Sequence, residues 1–219
     1  FYGEGVVIRP FMQRFSLRKW QKDGDKGFFI KSMMADNLNI DLKDTNGTFN
    51  CGRPAGYIKD FKSLSEDVQK QITAIARMRS VFGTVTFNKV INSDGTDSDR
   101  EFKDVPFIWE ITSATAFKIV GETFKTLSGM KRLPVISLNT NEMKSPKGNF
   151  FVPKLNINYD QVLTVSEKDQ EIFGNFISWI ENFNEYVSTS WDEKTRNKVS
   201  EEDMKVVDEF IEVDDDAEK

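Results

Sequence analysis

A strongly acidic C-terminal segment limits where this chain can build a hydrophobic core. Residues 201–219 contain ten acids and two lysines, a net charge of minus eight. Of the 30 basic and 35 acidic residues in the chain, 28 basic and 25 acidic ones therefore lie in the first 200 residues. Because a run of like charges resists burial, we expect one folded domain over residues 1–190 and an acidic, flexible tail over residues 191–219.

The tail also carries apolar residues among its charges. Phe210 and Ile211 are flanked by acids, and Asp214, Asp215 and Asp216 follow. Two interpretations are open: a solvated end that aids solubility, and a segment that docks into a basic, apolar pocket of a partner. We predict these five residues as the partner-binding set, and such an arm can also shield a phosphate-binding groove.

Composition excludes several classes of enzyme. The chain has no histidine and one cysteine, Cys51, so it lacks a Ser-His-Asp triad, a Cys-His pair and a Cys/His zinc site. It also lacks a phosphate-binding loop ending in Gly-Lys-Ser/Thr and a Gly-x-Gly-x-x-Gly fingerprint. We therefore predict a protein that is not an enzyme and needs no cofactor or metal.

Acidic clusters leave one catalytic alternative, a metal-dependent nuclease. The clusters are Asp41 with Asp44, and Asp94, Asp97 and Asp99 in a Ser/Asp/Gly-rich segment. Local hydrogen bonding in turns is the favoured explanation for both.

The compartment is predicted from two absences. No run of about 18 apolar residues is present, which predicts that the chain has no membrane partner. A single cysteine cannot form an internal disulfide and suits a reducing compartment, so we expect the cytoplasm of a host cell.

Short strands and three helices are predicted along the chain. Strands are expected over 5–8, 27–33, 38–42, 48–50, 80–90 and 105–111, and a hairpin over 133–139 and 149–158. Ser65, Ser113 and Ser166 precede amphipathic segments and predict helix starts, the last helix ending at the serines and threonine of 188–190.

This order predicts an α+β protein with a mainly antiparallel sheet and three helices packed on it. An oligonucleotide-binding (OB)-like arrangement and a divergent non-OB arrangement are both open. Residues 1–63 are a candidate N-terminal β subdomain within the 1–190 domain.

Cations and aromatics are interleaved in three places, as binding of single-stranded nucleic acid requires. The predicted nucleic-acid-binding residues are Arg14, Arg18, Lys19, Trp20, Arg53, Tyr57, Lys59, Arg77, Arg79 and Phe82. Tyr57 is the favoured base-stacking residue. Phe82 has a core role as its alternative, and Arg77 and Arg79 could instead complement the negative end of a helix dipole.

The order of elements also carries a resemblance. Residues 77–87, the strand around Pro106-Phe107-Ile108-Trp109, the helix through Phe117 and Phe124, the 133–152 hairpin and the acidic tail resemble phage-encoded single-stranded DNA-binding proteins. The resemblance covers about residues 77–159 and the tail. Because the N-terminal part departs from it, the single-stranded DNA-binding RNA polymerase cofactors of N4-like phages, which have a different fold, are an alternative.

The resemblance implies a function in phage replication, recombination or transcription. It implies that the protein binds single-stranded DNA and that the tail recruits a phage RNA or DNA polymerase, and it allows oligomers. A protein-interaction adaptor or polymerase cofactor, in which the tail is the main contact, is the second hypothesis.

Overall fold

The computed structural model describes residues 2–127, 134–146, 148–162 and 164–214, without the side chains of residues 134, 162 and 197–214. In this part of the chain, six strands and three α-helices follow one another. They are β1 (Tyr2–Asp23), β2 (Lys26–Lys31), α1 (Glu66–Thr73), β3 (Ile75–Ile91), β4 (Val105–Ile111), α2 (Ala114–Leu127), β5 (Pro134–Ser145), β6 (Gly148–Val162) and α3 (Glu167–Asp214). Two short 3₁₀ turns, Asn50–Gly52 and Phe61–Ser63, precede α1.

The strands form one sheet with the order β4-β3-β1-β5-β6, and β2 pairs with β1 outside that path. The pairs β1–β2, β1–β5, β3–β4 and β5–β6 are antiparallel. The predicted α+β class with a mainly antiparallel sheet and three helices is confirmed.

The chain divides into two compact units. One, here called the sheet unit, consists of Phe1–Phe15 and Arg77–Ile180; the other, the hairpin unit, consists of Ser16–Ala76 and Glu181–Lys219. The boundary expected at residue 190 lies inside the second unit. The second unit combines most of the candidate N-terminal subdomain with the C-terminal part of α3.

The sheet unit has apolar side chains on both faces of β3. On one face, Val81 packs with Ile111 and with Val120 of α2. On the other face, the Phe82 ring lies 5.3 Å from the ring of Phe176 in α3, between centroids. Alternate residues of a strand point to opposite faces, so α2 and α3 each cover one side of β3.

The start of α3 is fixed by a capping box. The Ser166 backbone N–H donates to Asp169 Oδ2 (2.9 Å), and the Asp169 N–H donates to Ser166 Oγ (3.2 Å). Arg9 of β1 donates from Nη2 to the same Asp169 oxygen at 2.8 Å. Burial raises the pKa of Asp169, but the hydrogen bonds from Ser166 and Arg9 outweigh it and leave that pKa below its ordinary value. The predicted helix start at Ser166 is confirmed.

The hairpin unit has its own small core and a buried carboxylate. Leu17, Ile30, Cys51 and Ile75 pack together. Asp44 is fully buried and accepts four hydrogen bonds, from the N–H groups of Asn46, Thr48 and Cys51 and the Thr48 hydroxyl. The segment between β2 and α1 is therefore organised by turns around one carboxylate, and residues 38–42 and 48–50 are not the predicted strands.

Several elements are longer than the sequence predicted, and β1 and α3 extend furthest beyond their expected ranges. β1 continues far beyond residues 5–8, because both of its ends find strand partners. α3 continues through residues 188–190, where the Ser190 hydroxyl donates to the Tyr186 carbonyl four residues back. A hydroxyl bonded in this way leaves the helical backbone intact, so Ser and Thr do not end the helix.

A close backbone approach at Gly83 gives the first prediction. A β-carbon at Gly83 would lie 2.2 Å from the Arg9 carbonyl oxygen, whereas one at Gly174 in α3 would have nothing within 4 Å. We expect Gly83→Ala to lower the free energy of unfolding by about 1–3 kcal/mol. Gly174→Ala, the matched control, should raise it by about 0.5–1 kcal/mol. Chemical denaturation measures both, and equal effects would contradict the close approach of β1 and β3.

Candidate nucleic-acid interface

The end of β1 and the whole of β2 form a hairpin whose register places aromatics opposite each other. Trp20 pairs with Phe29, Arg18 with Lys31 and Lys22 with Gly27. Directly paired residues of antiparallel strands lie on the same face, and alternate residues share it. These six residues therefore form one surface, which we call the hairpin face.

The opposite face of the hairpin is held against the hairpin-unit core. Leu17 and Ile30 are buried there with Cys51. Leu17 is also bonded to Ser32 by two hydrogen bonds: its N–H donates to Ser32 Oγ at 2.8 Å, and its carbonyl accepts from the Ser32 N–H at 2.9 Å. Because a slip of one residue would bury Arg18 and Trp20, this packing fixes which side chains face outward.

Two accessible rings dominate the hairpin face. Trp20 is 51% exposed and Phe29 is 42% exposed. Their ring centroids are 4.8 Å apart with an interplanar angle of 66°. The Trp20 ring lies against Gly27, where a β-carbon would come within 2.2 Å of it. The absence of a side chain at Gly27 thus makes room for the indole.

Cations share the hairpin face with these rings. The Arg18 Cζ lies 5.0 Å from the Phe29 ring centroid, a cation–π distance. Lys22 and Lys31 are exposed. Within the described ranges, no carboxylate forms an ion pair with Arg18, Lys22 or Lys31. The hairpin face can therefore offer stacking surfaces for bases together with positive charge for phosphates.

The other predicted residues of the hairpin unit lie elsewhere. Lys19 points to the opposite face of the hairpin, since it pairs with the buried Ile30. Arg53, Tyr57 and Lys59 lie in the segment that follows the Asn50–Gly52 turn, where Arg53 is half-buried and Lys59 is exposed. Tyr57 is 88% exposed, the most exposed large apolar side chain among those described.

The sheet unit holds the remaining four predicted residues. Arg14 is half-buried and donates from Nη1 to the Gln13 carbonyl at 2.9 Å, and Arg77 is exposed. Arg79 is only 7% exposed. Phe82 has no exposed surface and is covered by Phe176 and Trp179 of α3. The structure thus corrects the prediction for Phe82, because a ring enclosed in the core has no face on which a base could stack.

The predicted partner-binding residues fall at the C-terminal end of the described chain. The backbone of Phe210, Ile211 and Asp214 belongs to α3, and their side chains lie outside the description. Asp215 and Asp216 lie outside the described residues. Residues 191–214, within the predicted tail, belong to α3.

Sequence reasoning missed half of the hairpin face. Gly27, Phe29 and Lys31 were assigned to a strand, but their pairing partners were not identified. The signal was the Gly24-Asp25 pair, since a two-residue loop there pairs Asp23 with Lys26 and places Trp20 opposite Phe29.

Acidic residues do not form a metal site in the described ranges. No group of three or more His, Cys, Asp or Glu side chains is placed to hold a metal ion there. Both oxygens of Asp44 are used by donors from its own loop, and Asp41 accepts a hydrogen bond from Asn50 Nδ2 at 2.7 Å. These contacts support the turn explanation that the sequence favoured for this pair.

Comparisons with protein-family models, curated proteins and solved structures found no match to this chain. In the described part of the chain, no helix has the length and apolar character needed to cross a membrane.

The buried thiol of Cys51 gives the second prediction. Burial, followed by the nearby negative charge of Asp44, raises the pKa of Cys51 from 9.0 to about 12. Because the thiolate is the reactive form, we expect native protein at pH 8 to resist iodoacetamide, and denatured protein to react as an ordinary thiol does. As pH rises above 9, the unfolded thiol ionises before the folded one, so stability should fall. Labelling followed by mass spectrometry tests this, and rapid native labelling would contradict the burial.

Proposed function

We propose that this protein is a non-catalytic single-stranded DNA-binding protein that uses the hairpin face. The observation that supports this is the joint exposure of Trp20 and Phe29 beside Arg18, Lys22 and Lys31. Unpaired bases need flat side chains on which to stack, and their phosphates need cations within reach. The hairpin face supplies both on one surface.

Binding of this kind reads no particular sequence. Stacking of a base on an aromatic ring contributes about 1–3 kcal/mol, and every base offers a face for it. The cations lower the electrostatic cost of holding the backbone and make affinity fall with salt. Exposed Tyr57 and Lys59, in the same unit, are proposed to extend this contact.

The connectivity of the sheet unit supports the same proposal. β1 lies between β3 and β5, α2 connects β4 to β5, and β5 and β6 form a hairpin. We propose that this connectivity corresponds to the OB-like arrangement, in which the loop after the first strand contributes to binding. In this chain the segment after the sheet-unit part of β1 carries the hairpin face.

We further propose that the protein acts in phage replication, recombination or transcription, in the cytoplasm of the host cell. The acidic C-terminal segment, with Phe210 and Ile211, is the proposed contact for a phage RNA or DNA polymerase. It is also proposed to shield the DNA-binding surface electrostatically in the absence of DNA.

A second candidate function is an adaptor whose main contact is the C-terminal end of α3. The helical backbone through Phe210 and Ile211 favours it, because helices commonly bind in grooves of partner proteins. Pull-downs of host-cell and phage proteins, with and without nuclease treatment, separate the two: capture that survives nuclease supports the adaptor, and loss of all capture supports nucleic-acid bridging.

Trp20 and Phe28 provide a matched pair for the third prediction. Both are about half exposed on the same hairpin, but Phe28 pairs with Gln21 on the opposite face. We expect Trp20→Ala to weaken oligo(dT) binding by about 5- to 150-fold, the equivalent of about 1–3 kcal/mol. Phe28→Ala should change affinity by less than about twofold if stacking occurs only on the hairpin face. Fluorescence anisotropy at low salt measures both.

A charge-matched pair provides the control for that experiment. Lys22 lies on the hairpin face and Lys26 on the other, and both are exposed. Lys22→Gln should weaken binding and reduce its salt dependence, whereas Lys26→Gln should do so less. Equal losses for Trp20→Ala and Phe28→Ala, or no binding by the unaltered protein, would overturn the proposed function.

Removal of the acidic segment gives the fourth prediction. Deletion of residues 200–219 removes Ser200 and the acidic segment 201–219, which has a net charge of minus eight. If this segment shields the hairpin face, oligo(dT) affinity should rise, and the gain should shrink as salt is added. Titrations at two salt concentrations measure it, and an unchanged affinity at low salt would contradict shielding.

A further inference from the structure

Arg79 is a buried cation without a carboxylate partner among the described residues. It is 7% exposed, and its Nη1 donates to the side-chain oxygen of Gln13. Its Nε is buried and has no hydrogen-bond partner in the described structure. A buried guanidinium normally pairs with a carboxylate or another anion, because burial without one is costly.

Aromatic rings and a glycine hold this guanidinium in place. The Arg79 Cζ lies 4.8 Å from the Phe15 ring centroid and 4.6 Å from that of Phe117. A β-carbon at Gly121 of α2 would lie 2.7 Å from Arg79 Nη2, so the glycine makes room for the side chain. The position of the cation is thus set by three elements: β1, β3 and α2.

A second guanidinium lies on the same ring. The Cζ of exposed Arg77 is 5.5 Å from the Phe117 centroid, and the Cζ of Arg79 is 4.6 Å from the same centroid. The distance between the two Cζ atoms is therefore at most the sum of these two distances. Arg77 also forms no ion pair with a carboxylate in the described ranges. Two like charges that contact one ring repel each other, and an anion bound near both would relieve that repulsion.

We propose that Arg77, Arg79 and the side-chain amide of Gln13 form a phosphate-binding subsite in the sheet unit. Arg77 is the accessible cation that captures the anion, and Arg79 supplies a pre-positioned donor behind it. The ligand is a phosphate group, either of a nucleic-acid backbone or of a free phosphate or nucleotide. If the phosphate group belongs to a nucleic-acid backbone, the subsite rests on the proposed function.

Burial also lowers the pKa of Arg79 below its ordinary value, as expected for a cation that lacks a compensating charge. A bound phosphate would supply that charge. Arg77 and Arg79 are two residues apart in β3, so their side chains lie on the same face of the strand.

Two variants test the subsite without removing the buried cation. Arg77→Gln deletes the exposed charge. Gly121→Ala keeps every charge but forces the Arg79 guanidinium to move, at a helix position where alanine is favourable. Lys118→Gln on the same helix is the control, since it removes an exposed charge whose ion-pair partner is Glu122.

Two measurements are made on each protein. The first is the salt dependence of oligo(dT) affinity, in which Arg77→Gln should reduce the slope of log affinity against log salt by about 0.7. The second is the thermal midpoint in inorganic phosphate against sodium chloride of equal ionic strength. The unaltered protein and Lys118→Gln should show a phosphate-specific rise, and Arg77→Gln and Gly121→Ala should lose it.

Each outcome decides the proposal. Changes in both measurements support a backbone phosphate; loss of the phosphate-specific rise alone supports the subsite with a free phosphate or nucleotide as its ligand. If neither measurement distinguishes the two variants from Lys118→Gln, the subsite is overturned and Arg79 has a structural role. If Trp20→Ala still weakens oligo(dT) binding in that case, the proposed function stands without it.

Discussion

The pairing register of β1 with β2 is the constraint on which the proposed activity depends. It places Trp20 opposite Phe29 on the hairpin face. One residue away on each strand, the buried Ile30 pairs with Lys19 on the opposite face. Successive side chains of a strand point to opposite faces. Burial of Leu17 and Ile30 on one face therefore determines that the rings and cations of the hairpin face point outward. The register of this one strand pair therefore determines which side chains are available for the proposed binding.

The pairing of β1 with β2 is supported by polar side chains that do not belong to the hairpin face. Ser32 holds the Leu17 backbone at the base of the hairpin, and the buried Asp44 carboxylate organises the loop that follows β2. The Lys31 backbone N–H donates to the Thr45 hydroxyl at 3.2 Å. Such contacts hold the backbone, and the exposed side chains of the hairpin face remain accessible to a ligand.

Much of the fold follows from sequence patterns, and the site follows only in part. Alternation predicted β4 over 105–111, and the Ser166–Asp169 spacing predicted the start of α3, because both signals are local. Phe82 was predicted as a ligand contact, yet it is buried, since a helix distant in sequence covers it. The two rings that enclose Arg79 are likewise distant from it in sequence. Burial by non-local partners leaves no trace in a short window of sequence. The pairing of Trp20 with Phe29 was within reach, because a two-residue loop at Gly24-Asp25 determines it.

Ultraviolet cross-linking of the full chain to oligo(dT), followed by mass spectrometric mapping, identifies the residues that contact DNA. We predict that cross-linked peptides contain residues 18–31 and that adducts form at Trp20 or Phe29, with yields that fall as salt is raised. Efficient cross-linking that maps entirely outside this hairpin would show that the hairpin face does not bind DNA.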